Sequence, residues 1–321
     1  CCSWAWRTAC ADKAQCLQGA ALSQHNRHPC CFHSRPRTMA ISHHLKDIGR
    51  GKEGARSLDR TQAADLLGQV LDGTASDLEV GAFCIAMRVK GETPEEMAGF
   101  LDAIHQRLPR LAAPERPLVV LPSYNGARKL PLLTPLLALL LAREGLPVLV
   151  HGANTEASRV STQNVLAALA IPAQAAITTI ANGEVQFATT AAIHPQLQQL
   201  LEVRHTLGLR NSAHSLVKLL APCDGAHLLV SSYTHPEYAD SMAATLQILG
   251  TTALLLRGTE GEAVADPRRC PRMQAVRNGS CDELEPRQEG SLAQLPDLPS
   301  DISPESTAGY IRAVLDGVLP V

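Results

Sequence analysis

The residue types that first point to chemistry in this chain are cations. Lys46, Arg50, Lys52, Arg56 and Arg60 are spaced 4, 2, 4 and 4 residues apart. On one continuous helix all but Lys52 would share a face able to follow a row of phosphates. Gly49, Gly51 and Gly54 oppose that helix, and Asp47, Glu53 and Asp59 interrupt the charge, so a solvated basic segment is the competing reading. Arg128 and Lys129 form a second, adjacent basic pair. Glu260 and Glu262 are two residues apart, and on an extended segment both would project to one side and could share a divalent cation. Two solvated loop acids is the alternative for that pair. No zinc-finger spacing is present, because Cys1-Cys2 and Cys30-Cys31 lack the gap that lets two thiolates reach one ion, and nothing singles out a recognition helix.

Charge and aromatic content limit what those cations can do. The chain has 321 residues with 29 Lys+Arg against 31 Asp+Glu. Ala40 to Pro222 carries 17 of the cations and 16 of the acids, and Cys223 to Val321 carries 7 and 14. Global charge therefore does not attract nucleic acid, and an anionic partner must be met by a local basic surface. After Met39 the only aromatics are Phe83, Phe100, Tyr124, Phe187, Tyr233, Tyr238 and Tyr310, too few for an extended base-stacking platform. Any nucleic-acid binding is then expected to be electrostatic and sequence-tolerant. The most apolar run, Leu130 to Ala142, holds Pro131 and Pro135, so no membrane span is expected.

The elements that must position these groups fall into three stretches. Residues 1–38 hold six of the ten cysteines, both tryptophans and no periodicity, and are expected to be a non-native or disordered leader ahead of Met39. The four later cysteines are scattered, as suits a reducing cytoplasm. Residues 39–111 read as a small all-helical subdomain, open to completion by a later helix. Its signals are the apolar spacing of Thr61 to Leu71, the capping box at Ser76-Asp77-Leu78-Glu79 and the Thr93-Pro94-Glu95-Glu96 start. Residues 112–321 read as an α/β domain with a central, mainly parallel sheet. Strands are expected at Leu118 to Leu121, Pro147 to Val150, Ala226 to Val230 and Ala253 to Leu256. Helices are expected at Leu132 to Arg143, Thr162 to Ala170, Gln196 to Leu207 and Tyr238 to Leu249. Asp282 to Ser303, acidic and Pro-rich, reads as a loop.

Several tracts carry a family resemblance. Leu58-Asp59-Arg60 through Ala98-Gly99-Phe100, with Gly81-Ala82-Phe83 and Lys90-Gly91-Glu92-Thr93-Pro94-Glu95-Glu96, resembles the helical domain of anthranilate phosphoribosyltransferases and class II nucleoside phosphorylases, the glycosyltransferase family 3 superfamily. The likeness continues through His151-Gly152, His194-Pro195 and Val203-Arg204-His205-Thr206-Leu207-Gly208-Leu209-Arg210, and so covers most of residues 41 to 320. Five further tracts resemble the YbiB-type branch, which is regarded as DNA-binding. They are Ile48-Gly49-Arg50-Gly51-Lys52, Pro122 to Lys129, Arg210 to Leu216, Ser232 to Tyr238 and Gly258 to Glu262.

The resemblance implies a homodimer through the helical domain, and it allows the parent chemistry to be compared with the residues present. Enzymes of the parent family hold the pyrophosphate of phosphoribosyl pyrophosphate in a G-T-G-G-D turn, where this chain has Ser123-Tyr124-Asn125-Gly126-Ala127 with one glycine. Their K-H-G-N tract corresponds to Val150-His151-Gly152-Ala153-Asn154, in which the cation is gone. Their Asp-Glu pair for Mg²⁺ falls on Ala263-Val264 in a gapless alignment, leaving Glu260 and Glu262 as the nearby acids. The resemblance places Asn125, Gly126, His151, Gly152 and His194 in a residual ligand cleft. It brings Arg204 near the acceptor and puts Lys218 where a proline is expected.

Loss of phosphate-turn glycines with gain of long cations favours an extended polyanion, DNA or RNA, held by Lys46, Arg50, Lys52, Arg56, Arg60, Arg128, Lys129, Arg204, Arg210 and Lys218. No cofactor is expected on that reading. A transferase of altered specificity using phosphoribosyl pyrophosphate and Mg²⁺ is the alternative. Arg204 and Arg210 as structural ion-pair partners, and His151, His194 and His214 as packed histidines, remain open.

Overall fold

Local hydrogen bonding sets the boundaries of the N-terminal helices. In the computed structural model, which describes residues 41–320 except 52, 110, 112–114, 155, 178, 291 and 293–297, the chain begins with α1 (Ser42–Ile48), α2 (Arg60–Leu71), α3 (Asp77–Lys90) and α4 (Pro94–His105). The leader expected over residues 1–38 lies outside the described residues. Asp59 with Gln62, Ser76 with Glu79 and Thr93 with Glu96 each form a reciprocal capping box, satisfying backbone N–H groups that a helix start leaves free.

Glu96 does more than cap. Its Oε2 accepts from Thr93 N at 2.9 Å and Lys90 Nζ at 2.6 Å, and its Oε1 accepts from Leu58 N at 2.9 Å. The Lys90–Glu96 pair is buried, so removing either partner strands a charge at a cost of about 3–5 kcal/mol. The α3–α4 turn is thereby tied to the segment entering α2. Gly99 lets α2 and α4 cross closely, since a Cβ there would collide with the Arg60 carbonyl.

The rest of the chain alternates strand and helix. It runs β1 (Leu118–Ser123), α5 (Thr134–Arg143), β2 (Val148–Gly152), α6 (Thr162–Ala168), β3 (Ala173–Gln174), β4 (Val185–Thr189), α7 (Thr190–Ile193), α8 (Pro195–Leu207) and α9 (Ala213–Leu216). It closes with β5 (His227–Tyr233), α10 (Glu237–Leu249), β6 (Ala253–Arg257), β7 (Met273–Arg277), β8 (Ser280–Glu285) and α11 (Pro304–Leu315). The sheet order is β3-β4-β2-β1-β5-β6-β7-β8, parallel from β3 through β6 and antiparallel at β7 and β8. Strands β1 and β2 are buried along their whole length, as apolar runs in a parallel sheet covered on both faces must be.

The α/β part is mainly parallel as expected, with two differences. β3 and β4 lie in a stretch without a long apolar run. The expected Asp282 to Ser303 loop starts later, because β8 extends to Glu285 as an edge strand with mostly exposed side chains. It pairs with β7 around Asn278 (φ 51°) and Gly279 (φ 75°), an Asn-Gly turn of the kind that closes hairpins. Among the described residues no helix is long and apolar enough to cross a membrane.

The described residues form one compact unit, and its largest apolar cluster joins Phe83, Phe100 and Leu101 of the helical part with Leu216, Leu229 and Leu246 of the α/β part. β1 is the switch point of the sheet, with β2 on one side and β5 on the other, so a crevice opens at the carboxyl ends of these strands. A buried relay braces that end. Thr190 Oγ1 donates to Tyr124 Oη at 3.0 Å, Tyr124 Oη lies 2.9 Å from His151 Nδ1, and His151 Nε2 lies 3.0 Å from the Leu220 carbonyl. The carbonyl fixes the ring proton on Nε2, so Tyr124 donates to Nδ1 and the imidazole is neutral. Burial drives the His151 pKa down from 6.5 to about 4.

Stability should follow from that relay. Because the unfolded histidine takes up its proton near pH 6.5 and the folded one only near 4, the neutral relay contributes fully above pH 6.5 and its contribution is lost as pH falls toward 4. His151→Gln, which keeps one donor and one acceptor, is expected to flatten the fall of urea-unfolding free energy between pH 6.5 and 4 by up to about 1.4 kcal/mol per pH unit. An unchanged slope would count against the assignment.

Candidate ligand cleft at the sheet switch point

β1 delivers Ser123 to the carboxyl edge of the sheet, and the chain then turns through Gly126, whose φ of +70° and close approach to Val160 exclude a side chain. In this turn the N–H groups of Asn125 and Gly126 converge on one oxygen of Glu262, at 2.8 and 2.7 Å. The second oxygen accepts from the hydroxyls of Ser123 and, at 3.3 Å, Thr134. The Glu262 residue is only 2% exposed. The Ala127 N–H goes to the Val160 carbonyl at 2.8 Å, and those of Arg128 and Lys129 donate to the Glu260 carboxylate at 2.6 and 3.0 Å. Consecutive backbone donors of this kind form an anion-binding concavity, and here both halves of the loop are filled by the chain's own acids.

The acids arrive on a tight hairpin. Glu260 (φ 53°) and Gly261 (φ 88°) reverse the chain, and a Cβ on Gly261 would strike the Asn125 amide, which itself donates to the Glu260 carbonyl at 3.1 Å. Glu260 and Glu262, read as able to share a cation or as two solvated loop acids, therefore serve different parts of one loop, and Glu262 is buried rather than solvated. Their carboxylate oxygens accept from N–H and O–H donors, and Lys218 Nζ sits on the same hairpin, 3.1 Å from the Gly261 carbonyl. With both oxygens of each acid already committed to such donors, the two carboxylates turned to different parts of the loop and an ammonium beside them, this set does not fit a shared Mg²⁺. Among the described residues, the group whose atoms could gather about an ion is His43, His44 and Asp65 on α1 and α2, where His44 and Asp65 already share a 2.8 Å hydrogen bond.

Beside the turn lies a cleft of about 590 Å³ between the α3–α4 turn and the ends of β1 and β5. Arg88, Arg159, Arg210 and Lys218 contribute its cations, Glu92, Glu237 and Glu260 its acids, and Met87, Tyr233 and Met242 supply apolar wall. Burial lowers the Lys218 pKa to about 8 against the opposing pull of Glu262, so this ammonium is partly neutral in mildly basic solution. His214 also lines the cleft. Its Nδ1 faces the Asn211 carbonyl and side-chain oxygens at 3.2 Å and the Asn211 N–H at 3.4 Å, and its Nε2 is buried with no partner among the described residues. Burial, then the Arg210 charge, lowers its pKa to about 4, so the ring is neutral near pH 7.

The other sequence-predicted residues take separate places. Arg204 pairs with Glu156 at 2.8 Å and Arg210 reaches the same acid at 3.5 Å, so both also act as the structural ion-pair partners weighed above. His151 is spent in the buried relay. His194 caps α8, its Nδ1 accepting from Leu197 N at 3.3 Å, with its pKa lowered by burial and then by Arg107. Gly152 lets β2 press on the Ser123 carbonyl.

The continuous basic helix does not form, because α1 stops at Ile48 with Gly49 as its cap. Lys46, Arg50 and Arg56 lie on that broken segment, Arg60 is held bidentately by Asp102 at 2.6 and 2.9 Å, and Lys52 lies outside the described residues. Arg128 and Lys129 are exposed on the loop. Sequence reasoning missed Arg159, which donates to the Asn125 carbonyl at 3.3 Å, and Glu156. Neither stands in a motif, and both are recruited only by the folded loop.

Comparison with known proteins agrees with this architecture. Residues 43–107 match the glycosyl transferase family helical bundle domain. The chain is 40% identical to the uncharacterized protein YbiB of Escherichia coli (strain K12) over 289 residues, 86% of this chain and 88% of that one. It is 27% identical to an anthranilate phosphoribosyltransferase of Methylobacterium nodulans over 271 residues, 81% of this chain and 79% of the other. The fold is similar to that of anthranilate phosphoribosyltransferase from Thermus thermophilus, with a TM-score of 0.69 at 23% identity over 88% and 84% of the two chains. It is also similar to the Saccharomyces cerevisiae enzyme in complex with PRPP and Mg, with a TM-score of 0.65 at 17% identity over 88% and 82%. With a curated relative at this identity and coverage, the helical-bundle match and this fold, the chain belongs to the glycosyltransferase family 3, anthranilate phosphoribosyltransferase-like superfamily.

Proposed function

We propose that this chain is a glycosyltransferase-type protein of altered specificity whose cleft takes a ribosyl compound carrying one phosphate. The observation that carries this reading is the convergence of Arg159, Arg210 and Lys218 on one cleft at the switch point. The unpartnered Nε2 of the neutral His214 suits a sugar hydroxyl, which can donate or accept, and the apolar wall suits an uncharged aglycone. The filled turn after β1 argues against a diphosphate held with Mg²⁺, so side chains rather than backbone N–H groups would grip the phosphate. The relatives named as anthranilate phosphoribosyltransferases support this class of ligand over nucleic acid.

A second reading, binding of DNA or RNA, rests on one observation: Arg128 and Lys129 are exposed and make no ion pair among the described residues. Homodimerisation belongs to the same level of proposal. Its support is an apolar stripe on α3, where Leu78, Ile85 and Val89 are 76, 40 and 61% exposed and recur on one face.

Calorimetry of the full chain with ribose 5-phosphate and with phosphoribosyl pyrophosphate is expected to show binding of the monophosphate, weakened about tenfold or more by Arg210→Ala. No heat with either sugar phosphate would sink the cleft reading. For the second reading, oligonucleotide mobility shifts across a salt series should show log affinity falling with log salt, with a slope reduced by about 2 when Arg128 and Lys129 become Ala. Absence of a shift at about 50 mM salt removes it. Light scattering should give a dimer mass, and Leu78→Glu with Val89→Glu a monomer; a wild-type monomer contradicts dimerisation.

A further inference from the structure

We infer that Glu262 is an internal anion that fills the oxyanion turn of residues 123–126 and keeps it shut against phosphate, so that an outside anion enters only where this carboxylate is withdrawn. The turn has the make-up of a phosphate site. Two consecutive N–H groups meet on one oxygen at 2.8 and 2.7 Å, a left-handed glycine shapes the concavity, and two hydroxyls close on the other oxygen. A carboxylate with four donors in a site from which water is excluded makes charge-assisted hydrogen bonds, the kind a phosphate oxygen would make there.

The geometry that delivers Glu262 is built rather than incidental. Gly258 N donates to the Tyr233 carbonyl at 3.0 Å, Thr259 N to Val264 O at 2.9 Å and Glu262 N to Thr259 O at 3.0 Å, so the hairpin is seated on the end of β5 by its own backbone. Gly258 is required because a Cβ would collide with the Glu262 carbonyl and Ser232. Glu260 adds a second anchor on the N–H groups of Arg128 and Lys129. An occupant held this way acts at an effective concentration of about millimolar or higher, and a free anion must outcompete it. The inference concerns the turn and not the cleft cations, so it stands independently of the ligand proposed above.

The test uses the full chain with acetate and inorganic phosphate as probes, read by thermal unfolding and calorimetry. Wild type and Glu262→Gln, whose amide carbonyl can still accept both N–H bonds, should give no turn-dependent response. Glu262→Ala should be destabilised in anion-free buffer, regain stability with acetate or phosphate, and bind phosphate at least about tenfold more tightly than wild type. Repeating the series in Arg210→Ala weakens phosphate binding in the cleft while leaving the turn, so that the gain from Glu262→Ala is read against a lower background. Wild type binding phosphate as tightly as Glu262→Ala in that background overturns the assignment, as does a folded Glu262→Ala that responds to neither probe. Should Glu262→Ala not fold, Glu262→Asp, which draws the carboxylate back by one methylene, takes its place. A gain in phosphate affinity then supports the assignment, and no gain overturns it.

Discussion

The carboxylate of Glu262 sits where the chain after β1 offers four hydrogen-bond donors to one point, and the carboxyl edge of the sheet is organised around that contact. Burying a charge costs several kcal/mol unless it is matched by donors, and here every donor is a fixed part of the backbone or a short hydroxyl side chain. The positions of Ser123, Gly126 and Thr134 are therefore constrained together with the hairpin that carries the acid. Glu260 extends the constraint to the N–H groups of Arg128 and Lys129, whose side chains are left at the surface while their backbone is pinned.

A second constraint links the two parts of the molecule across the cleft. The α3–α4 turn is held from within by the buried Glu96, and its Glu92 accepts a hydrogen bond from Ser212 just before α9. Because the largest apolar cluster also runs through both parts, the cleft is a gap inside one packed body and its walls are set by core packing. That rigidity suits recognition of a small ligand by few, well-placed groups.

Charge within the cleft is sorted by neighbours. Glu156 serves both Arg204 and Arg210, and burial rather than any acid moderates Lys218. The three histidines take three different roles: His151 a neutral strut, His194 a helix cap and His214 a neutral ring lining the cleft. One residue type at three positions illustrates how little a side chain's identity says before its hydrogen bonds are known.

Local pattern alone is enough for the helix starts at Ser76 and Thr93, because capping depends on residues three apart, and for the buried parallel strands, because apolar runs of that length have few other uses. The β7–β8 hairpin carries its own signal in Asn278-Gly279, but the acidic composition that follows it points to a loop. The breaks in the basic segment at Gly49, Gly51 and Gly54 are visible in the same way, and α1 ends there. The fate of Glu260 and Glu262, by contrast, was settled by the assembled fold. Their spacing suggests a shared cation, whereas their partners lie 128 to 139 residues earlier in the chain. Spacing reports which groups can face together along one segment. It carries no record of which distant backbone donors the sheet will bring against them, and for a buried carboxylate those donors settle its chemistry.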